Sequence, residues 1–287
     1  MTFSFSSKSA SAISPQGHRT FAFILFQALA CPCRGEISPE TANLAQDTQP
    51  QWEALLGMGS PRLTQGFRYD TLRQYRAQGG TLEGLGMGKG LELITGENTE
   101  IQVGLPSYEW QGQRAISGGW GNDTLLGRYR FVSANEEAGN GIASGSLGID
   151  MPMGGRFSTN SHLFTPTLSG GKGWGTQFEG FIIQGALSAT IPDGHSAAIG
   201  IPVTWIMALQ GHVYSYLWPE IEAAYTHWNK GPYDGNNQLL LTCGLVFGRV
   251  ELAPGTRLSM GIGYQQPVAT SVSTIDRAWL TMTKLSW

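Results

Sequence analysis

Charged residues two positions apart recur along this chain, in Arg68 and Asp70, Arg128 and Arg130, and Glu220 and Glu222. Side chains at i and i+2 of a strand share one face, so each pair aims two charges the same way. Arg76, Glu92, Glu100, Arg257 and Lys284 also alternate with apolar neighbours. Such ladders of both signs either select solutes by charge along a lumen or pair across a narrow interior and close it. Tyr214, Tyr216 and Trp218 fall on the predicted face of Glu220 and Glu222, where they would stack an aromatic solute or simply pack. Catalytic chemistry has less support. No Gly-x-Ser-x-Gly stretch offers a nucleophile elbow, and His162, His195, His212 and His227 are dispersed. His195 and Ser196 are adjacent, so they point to opposite faces of a strand. Neither His-x-x-x-His nor Cys-x-x-Cys spacing supplies a metal site, Met151-Pro152-Met153 reads as loop packing, and no cofactor is implied.

The elements that position these charges are written in period two. In residues 197–210 every odd position from Ala197 through Trp205 to Leu209 is apolar, while the interleaved set is Ala198, Gly200, Pro202, Thr204, Ile206, Ala208 and Gln210, small or polar for the most part. The pattern returns in Leu239, Leu241, Cys243, Leu245 and Phe247, in Leu258, Met260, Ile262 and Tyr264, and in Leu125, Gly127, Tyr129 and Phe131. Twelve strands result, over 64–77, 80–95, 97–109, 119–133, 139–151, 161–172, 175–190, 196–210, 212–227, 237–250, 256–267 and 272–287. Their length exceeds the ordinary ~5 to 6 residues and suits a membrane-crossing strand of ~9 to 11. Composition agrees. Forty glycines among 287 residues, 14% charged and 41% hydrophobic residues exclude a disordered chain and suit a helical enzyme poorly, since each mid-helix glycine costs about 1 kcal/mol. No apolar run reaches the ~20 residues of a membrane helix, and a pI near 6.0 without a basic cluster argues against nucleic acid.

Connections at 95–98, 135–140, 171–175, 210–212 and 253–255 are short, while 107–118, 151–161, 227–237 and 266–273 are longer and 192–196 intermediate. Alternating short and long connections fit an antiparallel up-and-down barrel of the outer membrane, with both termini in the periplasm. Lys8 and Arg19 precede an apolar run at residues 21–30 that ends Ala28-Leu29-Ala30, which reads as a secretory signal peptide over 1–30. Its removal takes the formal charge from -3 to -5. Residues 31–63 are then a periplasmic arm whose patch Trp52, Leu55, Leu56 and Met58 either plugs the barrel mouth or hangs free as an untethered tail, and 64–287 form the barrel. Cys31 follows a loose lipoprotein box, Cys31 and Cys33 are too close for a relaxed bridge, and Cys243 reads as a small buried hydrophobe.

Gly88-Lys89-Gly90-Leu91-Glu92-Leu93, Ile101-Gln102-Val103-Gly104-Leu105-Pro106, the run from Gly119-Trp120-Gly121-Asn122-Asp123 to Arg128-Tyr129-Arg130-Phe131, and Thr165-Pro166-Thr167-Leu168 with Gly171-Lys172-Gly173-Trp174-Gly175 resemble the outer-membrane barrel family named for the meta-cleavage pathway of phenol degradation. The resemblance covers about residues 64–287. It implies a non-enzymatic channel or transporter for small, aromatic or hydrophobic solutes; a lipid-acting barrel enzyme and a closed structural or binding barrel are the other readings. Trp279, Thr281, Thr283, Leu285 and Trp287 alternate to a terminal aromatic, similar to the signal read by barrel-assembly machinery, so that machinery, outer-membrane lipids and a small solute are the expected partners. The mature chain is expected to need detergent after extraction. A protein recovered soluble from the periplasm without detergent would contradict the barrel.

Overall fold

The structure, a computed structural model, describes residues 39–76, 80–112, 117–175, 179–272 and 275–287. The expected signal peptide and Cys31 lie outside them. After helix α1 (Pro39–Asp47) the chain is almost wholly strand. The strands are β1 (Gly66–Tyr75), β2 (Thr81–Gly86), β3 (Gly90–Gly96), β4 (Thr99–Gly104), β5 (Tyr108–Gly112), β6 (Ser117–Trp120), β7 (Asp123–Ala134), β8 (Gly141–Met151), β9 (Leu163–Gly175), β10 (Gly180–Ala189) and the two-residue β11 (Ile191–Pro192). After a helical turn, α2 (Ser196–Ile199), come β12 (Ile201–His212), β13 (Leu217–Asn229), β14 (Asn237–Ala253), β15 (Thr256–Thr270) and β16 (Arg277–Ser286).

Every pairing among these strands is antiparallel, and β16 returns to β1 from Gly66↔Ser286 to Tyr75↔Arg277, which closes the sheet into a barrel. The wall has twelve staves, because β2 with β3, β4 with β5, β6 with β7, and β10 with β11 each make one stave in two segments. The first break is an insertion. Asp70 pairs with Gly86 but Phe67 pairs with Leu91, so β2 and β3 carry two extra residues against β1; Met87 and Gly88 absorb them at φ 48 and 69. The second break holds Pro106, which has no N–H to give a ladder.

The strand expectations at 161–172, 175–190, 196–210 and 212–227 shift at their ends. The glycines of 171–175 belong to β9. Ser196–Ile199 form α2 instead of strand, with His195 at φ 57 and Gly200 at φ 86. Gly211 lies in β12, and the turn is made later by Tyr214 and Ser215 at φ 51 and 63. That displacement takes Tyr214 and Tyr216 out of the strand, so they do not share a face with Glu220. Both are exposed, 76% and 50%.

The two faces of the wall have opposite composition. Tyr129, Phe131, Trp205, Met207, Leu209, Leu245, Phe247, Met260, Ile262 and Trp279 point outward and are exposed. Arg68, Gln184, Gln210, Glu220, Thr242 and Lys284 point inward and are buried. Cys243 is exposed on the outer face, which corrects the expectation of a buried thiol: its apolar stripe faces outward, away from any core. Among the described residues no helix is long and apolar enough to cross a membrane. An outward apolar wall around a polar interior is the arrangement hydrocarbon solvent selects. Met207→Arg, an outward position pairing with Gly185 and Ala223 at mid-stave, is expected to lower folding stability in bilayers by about 2–4 kcal/mol. Denaturant titration against the wild type measures it.

Candidate functional site

The interior is occupied by the chain's own N-terminal segment. Residues 48–65 have no helix or strand, enter the lumen, turn near Gly59 and return to Gly66 in β1. Gln49 clasps the neck: its Nε2 donates to Leu63 O at 2.7 Å and its Oε1 accepts Leu63 N–H at 2.9 Å. Trp52, Leu55, Leu56 and Met58, the patch visible in the sequence, are each at most 4% exposed. Of the two arrangements expected for them, the plug is the one present.

Inward glycines make the room. Leu56 fills a slot over Gly244, Gly261 and Gly263, where a Cβ on Gly261 or Gly263 would stand 2.7 Å from its methyl carbons. Trp52 lies against Gly171, with its Nε1 donating to Asn140 Oδ1 at 2.8 Å. Leu55 and Met58 pack with Ala186 and Ala208. Each such side chain contributes about 1.5–3 kcal/mol when fully buried.

The charged ladders hold the plug's backbone. A segment without secondary structure keeps its N–H and C=O groups unpaired, and in a lumen away from water each needs a partner. Glu220 Oε1 accepts Leu56 N–H at 2.9 Å, and the Glu222 carboxylate accepts Gly57 and Met58 N–H at 2.9 and 3.0 Å. From the facing wall Arg68 Nη2 donates to Leu55 O and Leu56 O at 2.9 and 3.2 Å while pairing with Asp70 at 2.8 Å. Glu100 accepts Thr64 N–H at 2.5 Å and pairs with Arg128 at 2.6 Å, and Arg128 also donates to Arg62 O. Arg130 donates to Ala45 O at 2.8 Å, at the end of α1. Lys284 bridges Glu92 and Thr64 Oγ1.

The sequence candidates therefore divide. Arg68, Asp70, Glu92, Glu100, Arg128, Arg130, Glu220, Glu222 and Lys284 meet in the lumen, all buried, and Trp218 joins them, stacked on His212 at 3.7 Å with Arg249 over its ring. Arg257 shares the inward face of Ser259 but is exposed at the mouth, and Arg76 follows β1 at the opposite end. Tyr214 and Tyr216 are turn residues. Sequence reading missed the plug's Gln49, Glu53 and Arg62 and the wall's Asn140, Gln210 and Arg249; inward glycines 244, 261 and 263 were the available signal.

Beyond the plug's tip lies a cavity of about 200 Å³ lined by Ser60, Lys89, Gln102, Thr124 and Asp150 among others. Among the described residues no group of three His, Cys, Asp or Glu side chains could hold a metal ion. Ser161 Oγ sits 3.0 Å from His195 Nδ1, but Ser161 is buried and Asp193 pairs with His162, so no triad is assembled.

A scan against protein-family models finds no match, and a search of curated proteins finds none. Among solved structures the chain is similar to an outer membrane channel from Pseudomonas putida F1, at 10% identity and TM-score 0.46 over 78% of this chain and 95% of that one. It is also similar to a chain from work on the in-meso crystallization of membrane proteins, at 9% identity and TM-score 0.39 over 77% of this chain and 84% of that one. The site itself yields a direct expectation. Gly263→Leu fills the Leu56 slot, so protease cleavage within residues 48–65 should accelerate at least tenfold while the barrel stays folded by gel mobility.

Proposed function

We propose that this chain is a non-enzymatic outer-membrane channel for small solutes whose resting state is closed by residues 48–65. In this reading the short turns and both termini of the mature chain lie in the periplasm, the strand ending at Trp287 is read by the barrel-assembly machinery, and lipids cover the apolar wall. One observation carries it: the lumen holds a single segment tethered to the wall at Gly66, whose N–H groups donate to the Glu220 and Glu222 carboxyl groups and whose carbonyls accept from Arg68. A wall that filled its own interior would need no such clamps. Displacing the segment would connect the mouth to the cavity beyond it, and small aromatic or hydrophobic compounds, the class implied by the sequence resemblance, are the solutes to offer first.

Hydrogen bonds to charged groups contribute about 1.5–3 kcal/mol each, against about 1 for neutral ones, so removing the charge that the two adjacent glutamates share should loosen the plug. In planar bilayers the refolded protein is expected to show rare conductance steps, and the double variant Glu220→Gln/Glu222→Gln steps at least tenfold more frequent. Silence from both proteins after confirmed insertion would favour a permanently closed structural barrel.

A further inference from the structure

Where the plug's returning leg meets the turn-end mouth, three guanidinium groups gather around little counter-charge. Arg62 lies on the plug, Arg249 on β14 and Arg257 on β15, and with Ser259 and Ser286 they line a cavity of about 50 Å³. Glu53 is the carboxylate on that lining, and it is already engaged by Arg249 Nε at 3.1 Å. Glu136, nearby, accepts Gln51 N–H at 2.6 Å, Lys284 is bound to Glu92, and Glu251, opposite Arg257 in the ladder, is exposed. Arg62 donates through Nη1 to Trp52 O, but its Nε is buried with no partner. Among the described residues the Arg257 side chain has no ion-pair or hydrogen-bond partner either. Burial, and after it the charge of Arg249, brings the Arg62 guanidinium down to about 10. It remains protonated at neutral pH, so the positive charge stays and is under-compensated.

We propose that this cavity binds a tetrahedral oxyanion of the phosphate class, which bridges Arg62 on the plug to Arg249 and Arg257 on the wall. Guanidinium forks match the geometry of phosphate oxygens and hold them by paired, charge-assisted hydrogen bonds. The free Nε of Arg62 supplies a buried donor, and the Ser259 hydroxyl, whose oxygen accepts Arg249 N–H, a further one. Size selects the ligand. A water needs about 10–15 Å³ by this measure, so the cavity admits an ion of a few heavy atoms and excludes an aromatic solute. Because the anion touches plug and wall together, it would fasten the closed arrangement; the three arginines stand at 62, 249 and 257, and no sequence motif announces them.

The inference depends on where the plug sits and is independent of conduction. The test is the thermal unfolding midpoint of the refolded full mature chain in detergent, with inorganic phosphate against sodium chloride at matched ionic strength. Phosphate is expected to raise the midpoint saturably, and the concentration for half the shift is expected to rise at least tenfold in Arg257→Gln and in Arg62→Gln. Arg277→Gln, an exposed arginine on β16, should leave it unchanged. Greater protection by short-chain phosphatidic acid than by inorganic phosphate would keep the site and assign the phosphate to a lipid headgroup. Equal shifts in phosphate and chloride, or a phosphate shift that both Arg257→Gln and Arg62→Gln leave intact, would overturn the proposal.

Discussion

The unpaired backbone of residues 48–65 is the constraint around which this lumen is organised. A segment with no ladder of its own carries donors and acceptors that must be met inside the barrel. The wall meets them with acidic and basic side chains: carboxyl groups where the plug presents N–H groups, at Leu56, Gly57, Met58 and Thr64, and guanidinium groups where it presents carbonyls, at Leu55, Leu56 and Arg62, with Arg130 doing the same for Ala45 of α1. The sign of each ladder follows from the polarity of the backbone opposite. Glu220 and Glu222 on one wall and Arg68 on the other thus act together on four consecutive plug residues, Leu55 to Met58.

Side-chain volume is distributed to the same end. Apolar bulk lies outside the wall, where hydrocarbon accepts it, and on the plug, where glycines accept it. Leu56 over Gly244, Gly261 and Gly263 joins the two chains of atoms by close approach, in a core whose larger partner is the plug. Backbone clamps fix the register of the segment, and the glycine slots fix its depth. Either alone would leave the plug free to slide.

The barrel was legible because alternation is a local property. Odd and even positions of β7, β12, β14 and β15 separate apolar from polar residues within a few positions, and the twelve staves follow from that alone. Stave ends were less legible, and glycine is the reason. Gly171 to Gly175 and Gly211 resemble turn signals, yet they lie inside β9 and β12, with Gly171 making room for Trp52, while Tyr214 and Ser215 make a turn without glycine. The inward direction of Arg68, Glu100, Arg128, Glu220 and Glu222 was readable from period two; their partners were not, since the contacts span from 12 positions, between Arg68 and Leu56, to 165, between Glu222 and Gly57, with no local pattern to mark them. Trp52, Leu55, Leu56 and Met58 were visible as a patch, but a patch does not state what covers it.

The central claim is that the N-terminal segment resides in the lumen at a defined depth. Leu56→Cys combined with Gly263→Cys, in a chain whose native cysteines are replaced by alanine, places two thiols across the slot. Mild oxidation of the protein in the membranes of expressing cells should close an intramolecular disulfide, seen as a faster-migrating band on a non-reducing denaturing gel, with Leu56→Cys and Tyr264→Cys, which faces outward, giving none. No cross-link in the Gly263 pair, with both thiols shown reactive after denaturation, would contradict a plug seated in the barrel.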